Sequence, residues 1–99
     1  MLNIEKNKEG GKAVVKLSGR LDTTTSPVLE NELRDFLQGA TELVFDLEEL
    51  EYISSAGLRV LLSVQKQMDS QGSMKLINVR EEVNEIFEVT GFSDIMTIE

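Results

Sequence analysis

Tyr52-Ile53-Ser54-Ser55-Ala56-Gly57-Leu58 joins a short apolar segment, Leu43-Val44-Phe45-Asp46-Leu47, to a strongly amphipathic stretch. The segment reads as a central strand covered on both faces, because it is nearly continuous in apolar residues. From Gly57 onward, Leu58, Leu61, Val64, Gln65 and Met68 fall on one helical stripe, with Arg59, Ser63 and Lys66 opposite and Leu62 at the boundary. A helix therefore starts within Ser54 to Gly57, and two hydroxyls stand at its beginning. The first N–H groups of a helix lack backbone partners and carry partial positive charge, so a Ser there serves as a cap or receives a phosphate.

The flanking sequence repeats the alternation of strand and helix. Leu2 and Ile4 alternate with polar residues, Asn7 to Gly11 supply turn chemistry, and Ala13 to Leu17 read as the second arm of a hairpin. Gly19 to Thr25 read as a polar loop. Ser26-Pro27 follow as N-cap and first helical residue, and Leu29, Leu33, Phe36 and Leu37 form an apolar stripe ended near Gly39. Beyond Gln71-Gly72-Ser73, Met74 to Val79 read as a strand. Val83, Ile86 and Phe87 mark a third helix ended by Gly91, and Ile95 to Ile98 a short edge strand. The predicted order is β-β-α-β-α-β-α-β, an α/β fold with a mixed sheet and helices mainly on one side. The first hairpin is antiparallel and the later strands parallel, joined by right-handed crossovers.

Ninety-nine residues suit one domain, read as 1–99, with a single core but no two-lobed active site. The chain has no Cys and no His, so thiolate chemistry, disulfides and the commonest general base are all missing. No apolar run approaches the ~20 residues of a membrane span, and the start lacks a signal-peptide pattern; a cytoplasmic protein without membrane insertion is expected. A net charge of −8 argues against nucleic acid and anionic membranes as partners and favours a basic protein surface. No phosphate-binding glycine loop occurs, Gly10-Gly11 reads as a turn, and Glu48, Glu49 and Glu51 read as a solvated acidic loop; no cofactor is expected. Glu81 and Glu82 suit the first turn of the third helix.

Asp22, which with Arg20 flanks Leu21, has two open roles: a binding group displayed after a strand, or, together with Thr23, a cap or staple of the turn before the first helix through side-chain to backbone hydrogen bonds. Ser54 and Ser55 are both able to cap. Helical spacing places Ser54 near the apolar stripe and Ser55 outward with Arg59 and Lys66, so Ser55 is the more accessible hydroxyl.

Taken in order, the opening hairpin, Gly19-Arg20-Leu21-Asp22, Leu43 to Leu47 with Leu50, Ile53 to Leu58, and Ile86-Phe87 leading to Thr90-Gly91-Phe92 resemble the STAS domains of bacterial anti-sigma factor antagonists. The resemblance implies a non-enzymatic protein that binds, when unphosphorylated, an anti-sigma factor with a GHKL-type serine kinase domain. Phosphorylation ends that binding and a PP2C-type phosphatase restores it. The family pattern D-S-[ST]-G-L puts the acceptor on Ser55, with Ser54 in the Asp position and Ala56 in the following Ser/Thr position. Asp22 matches the Asp of G-x-L-D near the partner surface, which is expected to include Asp22, Thr23, Ser54, Ser55, Gly57 and Arg59. A phosphate there meets helix N–H groups and comes within reach of Arg59. Two other classes stay open: a constitutive STAS scaffold or regulatory subunit of a transport or signalling assembly, and a nucleotide-binding module using the Asp22 loop.

Overall fold

The computed structural model describes residues 1–99. The elements are β1 (Leu2–Glu9), β2 (Lys12–Leu21), α1 (Ser26–Phe36), β3 (Glu42–Ile53), α2 (Ser55–Gln71), β4 (Ser73–Ile77), α3 (Glu81–Thr90), a 3-10 turn at Phe92–Asp94, and β5 (Thr97–Ile98). They form one sheet in the order β1-β2-β3-β4-β5, antiparallel between β1 and β2 and parallel thereafter. Order and pairing follow the sequence expectation. Gly10, at φ +59°, makes the hairpin turn.

All three helices feed one core. Leu29, Leu33 and Leu37 from α1 and its end, Leu58, Leu61, Val64 and Met68 from α2, and Val83 and Phe87 from α3 meet Val15, Leu17, Phe45, Leu47 and Leu76 of the sheet. The reading of β3 as covered on both faces is therefore corrected. Its opposite face holds Val44 and Asp46 in register with Val14, Lys16, Lys75 and Ile77, and Val44 stands outside the core cluster. Ion pairs Lys16–Glu49 (3.4 Å) and Lys75–Glu99 (3.5 Å) and an Asn78 to Asp46 hydrogen bond (3.2 Å) cross that face.

Asn7 to Glu9, taken with Gly10-Gly11 for the hairpin turn, are the end of β1, and two segments taken for loops are strand as well. β2 continues from Leu17 to Leu21, and β3 from Leu47 to Ile53, so Glu48, Glu49 and Glu51 lie along a strand. The β2–β3 register shifts twice, between Lys16 and Ser18 and between Gly19 and Arg20, each time with an extra residue on β3. The β3 positions that face the core consequently run 43, 45, 47, 50, 53, and strict alternation is lost. Glu49 raises the Lys16 pKa above its usual value, first by its hydrogen bond and then by its charge.

A second correction concerns the start of α1. Thr25 occupies the N-cap position without a side-chain cap bond, while Ser26 is already helical and donates its hydroxyl to the Asp22 carbonyl. Asp22 replaces the expected cap, as described below. At the far end, Lys8 Nζ donates to the carbonyls of Phe36 (2.8 Å) and Gln38 (3.1 Å), satisfying groups a helix C-terminus leaves free.

One core position is imperfect. Gln65 is only 7% exposed, and its Oε1 has no hydrogen-bond partner while Nε2 donates to Asp69 at 2.8 Å. Gln65→Met removes the orphaned acceptor at nearly constant volume, and a gain of ~1 kcal/mol is expected. A denaturant titration checks it; lower stability would mean that the Asp69 contact outweighs the orphaned oxygen.

Candidate functional site

The site sits where β2 and β3 deliver their C-terminal ends to α1 and α2. Ser54 N–H donates to Leu21 O at 2.9 Å, tying the tip of β2 to the start of α2. Ser54 has extended backbone (φ −96°, ψ 175°), and its Oγ accepts from Gly57 N–H at 3.3 Å, the N-cap to N3 arrangement. Ser55 is the first helical residue and is exposed. The two hydroxyls are thus separated by geometry: one is engaged by the backbone and the other faces solvent. Ser54→Ala is expected to cost ~0.5–2 kcal/mol, measurable by chemical denaturation, while leaving the Ser55 hydroxyl accessible.

Gly57 is buried, and a Cβ there would lie 2.8 Å from Leu21 Cγ, 2.9 Å from Ile53 Cγ1 and 3.0 Å from Leu21 O. It lets α2 settle on the β2 and β3 tips, and so it shapes the surface from beneath.

Asp22 organises the adjacent turn. Its Oδ1 accepts from Thr24 N–H (3.0 Å), Thr24 Oγ1 (2.8 Å), Thr25 N–H (3.0 Å) and Thr25 Oγ1 (3.1 Å). Thr25 Oγ1 lies within bonding distance of both Asp22 N–H (2.8 Å) and Arg20 O (2.9 Å). The staple role is therefore real, with Thr24 and Thr25 as partners; Thr23 stays exposed and free of side-chain bonds. The Thr24 hydroxyl, then the Thr25 N–H, hold the Asp22 carboxyl down to about 2 from its ordinary 3.8. On acidification the unfolded chain takes up this proton first, so the contribution is complete above about pH 4 and disappears as pH falls towards 2. Asp22→Asn is expected to lose stability at neutral pH and to show a shallower fall between pH 4 and pH 2 in urea titrations. Parallel curves would contradict the staple.

Arg20 lies over the Tyr52 ring at 4.3 Å, with Nε 4.0 Å from Asp22 Oδ2. The pair follows from β2–β3 register, which sets Arg20 opposite Tyr52; residue spacing alone could not reveal it. A groove of ≈ 360 Å³ opens between the N-terminal halves of α1 and α2, lined by Thr23, Pro27, Glu30, Ala56, Arg59 and Ser63 among others. The structure thus brings Thr23, Ser54, Ser55 and Arg59 to one end of the molecule beside Asp22, with Gly57 below. Glu30, absent from the sequence-based set, joins them through the α1–α2 packing.

The STAS domain profile matches residues 3–99. The chain is 36% identical to BtrV of Bordetella bronchiseptica, covering 98% of this chain and 85% of that protein. It is 30% identical to the anti-sigma-B factor antagonist of Bacillus subtilis, covering 98% and 90%. Among solved structures, the Bacillus cell fate determinant SpoIIAA in its phosphorylated form matches with a TM-score of 0.76 at 18% identity, covering 98% of this chain and 91% of that one. The chain belongs to the STAS domain family of anti-sigma factor antagonists. No helix is long and apolar enough to cross a membrane.

Proposed function

We propose that this protein is an anti-sigma factor antagonist controlled by phosphorylation of Ser55. Its unphosphorylated form binds an anti-sigma factor carrying a GHKL-type serine kinase domain and so releases the sigma factor. The kinase transfers phosphate to Ser55, the complex separates, and a PP2C-type phosphatase restores the binding form, all in the cytoplasm. The observation that carries this reading is the division of labour between adjacent hydroxyls: Ser54 caps α2 and Ser55 stands exposed at its first turn. Relatives named as anti-sigma-B factor antagonists support the partner class.

Addition to a preformed complex of sigma factor and cognate anti-sigma factor tests it. The parent and Ser55→Ala should both release sigma factor in the absence of phosphorylation, whereas Ser55→Asp should do so less well, since a carboxylate carries less charge and fewer oxygens than phosphate. Failure of the parent to release it would favour a constitutive scaffold in its place.

A further inference from the structure

We propose that Arg59 is a two-position residue: with Ser55 unmodified its side chain lines the α1–α2 groove, and a phosphate on Ser55 draws the guanidinium out of it. The inference rests on Ser55 as the modified residue and adds how the modification reaches beyond its own atoms.

Ser55 and Arg59 stand four apart on α2, both exposed, which puts them on one helix face with Cβ atoms about 5–6 Å apart. Arg59 also lines the groove, together with Glu30, Thr23 and Ser63, and takes part in none of the ion pairs of the molecule, all within 4.0 Å. Its guanidinium is thus held by no carboxylate and is free to move. A phosphoserine at the first turn brings about −1.5 to −2 charge and three acceptor oxygens, a far stronger attractor than the solvated Glu30 carboxylate. The planar fork of Arg engages two phosphate oxygens at once.

The electrostatic consequence is directional. Unmodified, the groove lining carries Glu30 and Arg59 with balancing charge; after the shift the lining keeps Glu30 and has lost its one cation, with Arg34 standing a turn further along α1. A partner segment fitted to the neutral groove then meets negative charge on its α1 wall as well as at the phosphate. Phosphorylation acts on two adjoining parts of the surface, and Arg59 couples them.

The test installs phosphoserine at position 55 by genetic encoding in the full chain, so it needs no kinase and stands apart from whether one acts on Ser55. Phosphorus NMR titration gives the second phosphate pKa, ordinarily near 6. In the parent it should lie about half a unit or more below the value in Arg59→Gln, with Arg59→Lys between them. Amide resonances of Thr23, Ser26 and Ser63 should shift on phosphorylation in the parent and much less in Arg59→Gln. Equal phosphate pKa values in the parent and Arg59→Gln, or equal groove shifts in both, would overturn the proposal. Circular dichroism of each variant confirms that it is folded.

Discussion

Phosphate on Ser55 is expected to weaken binding of the cognate anti-sigma factor by roughly 30- to 1000-fold, equivalent to a shift of ~2–4 kcal/mol. The reason is the contrast between what the domain and the complex tolerate. Within the domain the phosphate sits in solvent at a helix N-terminus, where free N–H groups and positive partial charge receive it without refolding. Within a complex centred on Ser55 the same charge loses its water and displaces close packing, and charge at the centre of an interface costs more than at the rim. Calorimetry with phosphoserine at position 55 measures the change directly. Affinity within threefold of the unmodified protein would mean that Ser55 lies outside the interface.

Gly72→Ala is expected to be the most damaging single methyl in the chain. Gly72 follows the last residue of α2 with an extended backbone that any residue adopts, so the constraint is space: an ideal Cβ there would lie 1.8 Å from Thr41 O and 2.5 Å from its carbonyl carbon. Backbone atoms cannot rotate away as a side chain can. Thr41 is held by its own N–H to Gly11 O (2.8 Å) and by Ser73 N–H to Thr41 O (3.0 Å), which starts the β3–β4 ladder. Gln71 Nε2 ties the same corner to Leu37 O (2.7 Å) and Ala40 O (2.6 Å). Relief requires parting α2 from β3, and a loss of ~3 kcal/mol or more is expected, a fall in Tm of about 12–24 °C. A thermal melt checks it; an unchanged Tm would show that the corner yields.

The helices were legible because each buries one stripe: Leu29, Leu33 and Leu37, then Leu58, Leu61, Val64, Gln65 and Met68, then Val83 and Phe87 are buried as their spacing predicts, while Phe36 and Ile86 of the same stripes are half-buried at the core's edge. The outward placement of Ser55 followed from the same period. The strands were legible only where their period held. Beyond Leu47 two extra residues on β3 stretch the buried spacing from two to three, so Glu48 to Glu51 imitate a polar loop. The open sheet face was masked by Val44, whose apolar side chain is buried among its strand neighbours without any helix above it.

Side-chain hydrogen bonding accounts for what remained hidden at the site. Asp22 could be singled out, but Thr24 and Thr25, the residues that fix its carboxylate, belong to a run of three threonines that periodicity cannot tell apart. Likewise Ser26-Pro27 matches a capping pattern, yet the Asp22 carboxylate takes the N–H groups of Thr24 and Thr25 and moves Ser26 inside the helix. Arg20 over Tyr52 and Glu30 across from Arg59 are products of register and helix packing.

The most direct measurement is phosphosite mapping by tandem mass spectrometry after incubation with the cognate GHKL-type kinase and ATP. One phosphate on Ser55 is predicted, removable by a PP2C-type phosphatase and lost in Ser55→Ala, with Ser54→Ala modified as the parent is. Phosphate on Ser54, or no transfer to either hydroxyl, would contradict the account.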